Sequence, residues 1–334
     1  MNKKTGIQLL TIGDASMDVF VTPTESDTFC QIDDKECFLS FAYGDKIPVK
    51  NLAFSVGGNA ANNAVGTRRL GVNSTVVLTL GDDEIGDQIA NKLAKEGVSC
   101  DYVAREKDTV SNYSTAITVY GERTLFTYKA PKNKYHLPDE LPKTSWLYLT
   151  SMGDGFEEVF TRVVDHVKKN PEIKLAYNPG SRQLRAGVEK SKEVMQVAHI
   201  LYVNRKEAEM FAGMSDTHGN EKELLKKLCT LGPKVPIVTD GANGSYVFDG
   251  EKFYKAGILP VDSYERTGAG DSFGSGCVTA LIKGKAMEEA LLWGTVNSAS
   301  VIGYAGAQRG LLKEDEIVEW LERAKSCDVK IATF

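Results

Sequence analysis

The stretch Glu265-Arg266-Thr267-Gly268-Ala269-Gly270-Asp271-Ser272-Phe273 sets a carboxylate inside a glycine-rich turn that opens a helix. Gly268 and Gly270 let the backbone adopt positive φ and approach a ligand closely. The first turn of the helix leaves N–H groups without intrahelical partners at the positive end of its dipole, which suits a phosphoryl group. A carboxylate is unfavourable there unless it acts on what is bound. Asp271 can take the proton of an attacking hydroxyl while the N–H groups of the Gly268-Ala269-Gly270 turn hold the charge that develops on the transferred group. By itself the string is equally a tight turn with Asp271 capping the helix.

Three further groups carry suitable donors and acceptors. Gly57-Gly58-Asn59-Ala60-Ala61-Asn62-Asn63-Ala64 opens another helix, where the double glycine admits a ligand to the backbone and Asn59 either bonds hydroxyls or caps the helix. Asn204 and Glu207 follow an apolar run at a spacing that also makes a capping box. Asp14 and Asp18 follow the apolar run Ile7 to Gly13, either at the mouth of a site or as solvated loop acids.

The elements that must position these groups alternate. Apolar runs at 7–13, 75–80, 146–149, 174–177, 199–203 and 235–238 read as strands, and segments at 59–70, 85–96, 157–169, 272–282 and 287–304 as helices. This beat implies an α/β fold, a mainly parallel sheet with helices on both faces and ligands at the strands' C-terminal ends. Two patches break it. Residues 18–50 alternate and break at Pro23, Gly44 and Pro48, and 112–129 alternate about a turn at Gly121-Glu122, a hairpin signal. Both are expected in a small β-sheet lid within a single domain spanning 1–334.

Of 334 residues, 42% are hydrophobic and 25% charged, with 40 basic against 45 acidic side chains and a formal charge of −5. That is an ordinary globular composition. No Lys/Arg block is present, so nucleic acid is not an expected partner and phosphate binding must be local. The 6 cysteines follow no Cys-x-x-Cys or Cys/His spacing, which favours free thiols over a zinc site or disulfides. No run approaches the ~18 apolar residues of a membrane span, and the N-terminal apolar run is too short for a signal segment, so a cytoplasmic protein is expected. There is no Gly-x4-Gly-Lys-[Ser/Thr] string, which excludes a P-loop kinase.

The segments Val261 to Gly276 and Gly57 to Ala64 resemble the second and first signatures of the ribokinase-like (PfkB-type) carbohydrate and nucleoside kinases, with intermediate matches over nearly the whole chain. The resemblance implies a ribokinase-like three-layer α/β/α fold and transfer of the ATP γ-phosphoryl to a hydroxymethyl group of a small sugar. A nucleoside is the alternative acceptor, because Phe38, Phe41, Tyr43 and Tyr113 in the lid can stack on a base or fill the lid's own core. Residue by residue, the resemblance implies Asp271 as base beside Gly268, Ala269 and Gly270. It puts Asp14, Asp18, Gly57, Gly58, Asn59 and Asn62 at the acceptor, with Asp18 gripping a hydroxyl. It puts Asn204, Thr239, Gly241, Gly244, Asn297 and Gly306 at the nucleotide, and Glu207 on Mg²⁺ through water. A homodimer formed through the lid is also implied.

The chain departs from the family pattern in two places. Glu265-Arg266 stand where Asp-Thr commonly flanks a monovalent-cation site, so weak K⁺ dependence is expected, with Arg266 as the brace. The leading Asp is missing before Asn178-Pro179-Gly180-Ser181-Arg182, leaving Asn178 and Arg182 as contacts. A non-catalytic sugar-binding regulator on the same fold is the other class, and it gives Asp271 no task.

Overall fold

The computed structural model describes residues 6–24, 29–33, 36–119, 122–130 and 135–334, with the side chains of 29–38 and 122 outside that description. The first half of the chain runs β1 (Leu9–Ile12), β2 (Ser16–Pro23), β3 (Phe29–Asp33), β4 (Glu36–Ser40), β5 (Val49–Gly57), α1 (Asn59–Arg69), β6 (Ser74–Gly81), α2 (Glu84–Lys95), β7 (Ser99–Glu106), β8 (Tyr113–Val119), β9 (Glu122–Tyr128), β10 (Trp146–Leu149) and α3 (Phe156–Lys169). It continues β11 (Lys174–Tyr177), α4 (Ser181–Ala186), α5 (Val188–Val197), β12 (Ala198–Asn204), α6 (Arg205–Ala212), α7 (Glu221–Cys229), β13 (Val235–Thr239), β14 (Ser245–Phe248), β15 (Phe253–Ala256), α8 (Ala269–Ile282), α9 (Met287–Val301), α10 (Ile317–Ser326) and β16 (Ile331–Thr333).

The large sheet has the order β16-β15-β14-β13-β12-β11-β10-β1-β6-β7, parallel from β7 to β13 and antiparallel beyond. Its inner parallel strands read as apolar runs because both faces are covered. In β10, Trp146 and Tyr148 join the core that includes Phe273 of α8 and Trp293 of α9, while Leu147 and Leu149 join the core that includes Val163 of α3 and Val194 of α5. Helix α3 contributes Phe156, Val159, Phe160, Val163, Val164 and Val167, a stripe at helical spacing. Small residues let α8 and α9 approach: a Cβ on Gly276 would lie 2.7 Å from the Trp293 carbonyl oxygen.

β1 lies between β6 and β10 and is parallel to both. The chain leaves β1 for β6 and β7 on one side, then returns to β10 on the other, so the loops after β1 and β10 diverge. Such a switch point opens a crevice at the strands' carboxyl ends.

The smaller sheet has the order β5-β2-β8-β9, with β2 and β8 parallel. It draws on both expected patches but begins at Ser16 and extends to Gly57, so that β5 runs into α1, while β3 and β4 pair with each other in a separate two-stranded sheet. The expected turn lies partly outside the described residues, at Gly121. The helix expected to reach 304 stops at Val301, shortly before the left-handed Gly306. The edge strands β7 and β16 have no counterpart in the sequence reading; Asp101, Arg105 and Glu106 make β7 too polar to stand out as a run.

Candidate active site

The carboxyl ends of β1, β10, β12 and β13, the N-termini of α1 and α8, and residues of β2, β8 and β9 border one cavity of about 380 Å³. Asp271 lies on its wall, in the first turn of α8. Gly268, not Asp271, occupies the N-cap position, with φ at +77°, so the capping alternative for Asp271 is not realised. Helical geometry leaves the Gly270 and Asp271 N–H groups without i−4 partners, and both residues line the cavity. Burial pushes the Asp271 carboxyl up to about 6; a hydrogen bond from Asn62 Nδ2 at 2.8 Å opposes the rise, and the charge of Asp18 adds to it.

Asp18 projects from β2 into the same cavity. Its Oδ1 accepts from Ser16 Oγ at 2.8 Å and from Ser114 Oγ, and burial nonetheless raises its pKa. Asp18, Ser114 and Thr127 are register partners across β2, β8 and β9. Gly57 does not line the cavity; a Cβ there would lie 1.9 Å from Asp18 Oδ2, so this glycine makes room for the carboxylate rather than for a ligand. Asn59 is the first residue of α1, behind the Gly58 N-cap, and makes no cap bond. Its side chain borders the cavity beside Asn178, whose Oδ1 lies 3.5 Å from Asn59 Nδ2.

Asp14 is 5% exposed and already engaged: Lys129 Nζ approaches Oδ2 at 3.2 Å and Tyr135 donates to Oδ1 at 3.1 Å. Lys129 also donates to Ser151 at 3.3 Å. Sequence reasoning missed Lys129, Tyr135, Ser114 and Ser151, which belong to no motif. The one available signal was the position of Lys129 two residues beyond Thr127, on the inward face of an alternating strand.

At the other end, Asn204, Glu207 and Thr239 line the cavity. Asn204 and Glu207 form a full capping box: Glu207 N–H donates to Asn204 Oδ1 at 3.0 Å and Asn204 N–H to Glu207 Oε2 at 2.9 Å. Burial raises the Glu207 pKa, and the charge of Asp271 adds to the rise. Arg205 between them is buried, within 2.9 Å of Asp240 and 3.0 Å of Glu221.

Several expected site residues stand apart from the cavity. Asn62 is buried and reaches it only through Asp271; Gly268 and Ala269 lie behind Gly270. Thr239 enters the β13–β14 hairpin, so Gly241 and Gly244 turn the chain, and a Cβ on Gly244 would lie 1.9 Å from the Ala256 carbonyl oxygen. Asn297 is 0% exposed, donating to the Ser272 carbonyl at 2.7 Å and to Ser275 Oγ at 3.2 Å while accepting from Leu312 N–H at 3.0 Å. Its amide ties α8, α9 and the following loop together and presents no face to a ligand. Gly306 packs under Ser55 and Phe20 of the smaller sheet. Tyr43 is fully exposed and Phe41 is absent from the lining; the Phe38 side chain lies outside the described ones. Tyr113 does line the cavity.

Arg266 is exposed and does not brace the turn. That place is taken by Arg123 of β9, whose Nη1 lies 2.9 Å from Oε1 of the buried Glu265. Thr267 Oγ1 and the Gly306 N–H, the latter at 3.3 Å, complete the Glu265 shell.

A model of the pfkB carbohydrate kinase family matches residues 12–314. The chain is similar to an ATP-dependent 6-phosphofructokinase of Thermoanaerobacterium thermosaccharolyticum, 28% identical over 80% of this chain and 85% of that protein. It is similar to a ribokinase of Haemophilus influenzae at 24% identity, over 84% and 92% of the two chains. Among solved structures, Arabidopsis thaliana ribokinase complexed with ribose and ATP superposes with a TM-score of 0.78 at 22% identity, covering 95% of this chain and 99% of that one. The Methanocaldococcus jannaschii nucleoside kinase gives 0.75 at 20%, covering 95% and 99%. The fold is that of the ribokinases.

Proposed function

The chain belongs to the pfkB family of carbohydrate kinases, and from that premise we propose that it transfers the γ-phosphoryl of ATP to a hydroxymethyl group of a small sugar, with Asp271 as base. One observation carries the reading: a carboxyl pushed up to about 6 stands at the start of α8 in the same cavity as Asp18 and Asn59. A base with that affinity is deprotonated at neutral pH yet still takes a proton readily. Asp18 and Asn59 orient the acceptor, its hydroxyl proton passes to Asp271, and the N–H groups opening α8 hold the charge of the moving phosphoryl.

Asn204 and Thr239 face the nucleotide phosphates. Mg²⁺ bound with ATP supplies charge neutralisation, and Glu207, with no cluster of three acidic, His or Cys groups among the described residues, suits an ion carried mainly by phosphates and water.

A sugar is favoured over a nucleoside because aspartates, asparagines, serines and Lys129 dominate the described lining; of the expected aromatic set Tyr113 is there, with Tyr128 and Tyr202, while Phe41 and Tyr43 are not and the Phe38 side chain lies outside the described ones. We read the chain as one cytoplasmic kinase domain over 1–334, with the smaller sheet as its lid and the lid's outer face as a homodimer contact. Sugars and nucleosides offered with ATP and Mg²⁺ test the acceptor. Asp271→Asn should cut kcat by ~10²–10⁴ while the protein stays folded; unchanged turnover refutes the assignment.

A further inference from the structure

Asn62 lies on α1 between two side chains. Its Nδ2 donates to Asp271 Oδ2 at 2.8 Å, and its Oδ1 accepts from Gln308 Nε2 at 3.1 Å. A carboxamide keeps nearly the same shape when turned over, but its ends exchange donor for acceptor. Beside an ionised carboxylate only one orientation is favourable, and the neighbour on the far side decides how firmly it is held.

We propose that Gln308 is a positioning residue for the base, acting through Asn62: its N–H fixes the Asn62 amide with the donor end toward Asp271. The inference rests on the reading of Asp271 as base.

Asn62 is 4% and Gln308 2% exposed, so little water competes for either amide. Gln308 Oε1 is buried without a hydrogen-bond partner among the described residues. Such an orphan is costly, and turning the Gln308 amide over would set two oxygens against each other. The side chain therefore keeps the donor aimed at Asn62 at the expense of its own acceptor.

The backbone of Gln308 is clamped as well. Arg69 Nη1 donates to the Gln308 carbonyl at 2.8 Å and to that of Leu311 at 2.9 Å, while Nε and Nη2 each donate to Glu96 at 2.8 Å. Arg69 stands two helical turns after Asn62 on the same face of α1. One helix thus carries both the relay and the clamp that keeps the 308–311 loop against it.

The test begins with a readout that needs no turnover: the titration of Asp271 followed by carboxyl-carbon NMR. The charged or titratable groups around Asp271 are Asp18 of β2, Glu207 of α6, Tyr148 of β10 and Tyr202 of β12, with Lys129 lining the same cavity; all stay in place in both variants. Gln308→Met removes the donor at nearly constant volume and should move the Asp271 titration to higher pH. Gln308→Leu likewise offers Asn62 no donor and adds no charge, and should move it the same way. With a sugar acceptor from the screen, Gln308→Met should lower kcat by about ten-fold, the weight of one hydrogen bond in a barrier, and leave both KM values within about two-fold. Thermal melts report folding; should Gln308→Met not fold, Gln308→Leu decides. A titration unmoved in a folded variant overturns the inference. A displaced titration in a protein that transfers no phosphoryl group to any acceptor would leave the inference standing and overturn the reading of Asp271 as base.

Discussion

Arg123→Ala is the most informative perturbation of the site's frame, because it breaks the contact between the smaller sheet and the turn that leads into Gly268. The Glu265 side chain is 4% exposed and that of Arg123 28%. Removing one partner of a fully buried pair costs about 3–5 kcal/mol, whereas exposed pairs contribute ~0–1 kcal/mol. The guanidinium is over a quarter exposed, and Glu265 retains Thr267 and the Gly306 N–H, so a loss of about 2 kcal/mol is expected. Spread over the unfolding entropy of a chain this long, that is roughly 3 °C in Tm. Urea unfolding and thermal melts measure both. Arg123→Met with Glu265→Gln should recover most of the loss, since neither change then strands a charge. The pair also holds the turn that presents the α8 N–H groups, so kcat should fall in Arg123→Ala and recover in part in Arg123→Lys. A variant within about 0.5 kcal/mol of the native protein, with unchanged kcat, would show that the pair neither stabilises the fold nor shapes the turn.

The raised Asp271 pKa fixes two signs. With Asp271 as the proposed base, only its ionised form takes the proton, so kcat/KM should drop below about pH 6. A carboxyl whose folded pKa lies above its unfolded value contributes stability below the unfolded value and loses it as pH rises through the folded one; Asp271→Asn should therefore raise Tm more at pH 8 than at pH 4, and equal shifts would contradict the raised pKa. Asp18→Ala and Asn59→Ala should raise the KM of the acceptor and leave that of ATP nearly unchanged; the reverse pattern would assign both residues to the nucleotide. Exchanging Na⁺ for K⁺ at constant ionic strength should change kcat by less than about two-fold, because Arg123 already supplies the cation beside Glu265; a large stimulation would reveal a surviving monovalent site. Leu52 and Phe54 of β5 and Phe126 of β9 are 57%, 64% and 61% exposed, and Phe54→Glu should weaken self-association in sedimentation if the outer face of the lid joins two copies; a native protein monomeric at assay concentrations would exclude that contact.

Local patterns carried most of the fold. Burial on both faces turns β1, β6, β10 and β11 into apolar runs, and α3 shows its stripe, because these elements meet the core through short-range periodicity that the chain itself displays. That a helix opens at the Gly268 to Asp271 string was legible too, since this needs no distant partner, but α8 starts at Ala269 rather than at the expected Ser272, and this puts Asp271 in its first turn instead of at the cap. What the sequence left open were choices between neighbours far apart in the chain. Asn297 and Gly306 sit within motif-like strings, but only packing shows that Asn297 spends its amide on α8, α9 and Leu312, and that Gly306 lies under the smaller sheet. Gly57 carries no mark of the Asp18 carboxylate it makes room for. The cation beside Glu265 comes from Arg123, 142 residues away, rather than from the adjacent Arg266, and Lys129 reaches Asp14 across 115. Charge pairing depends on distance in space, which side-chain type and sequence spacing encode within a helix or hairpin but not between a sheet folded over the cavity and a turn on its far wall.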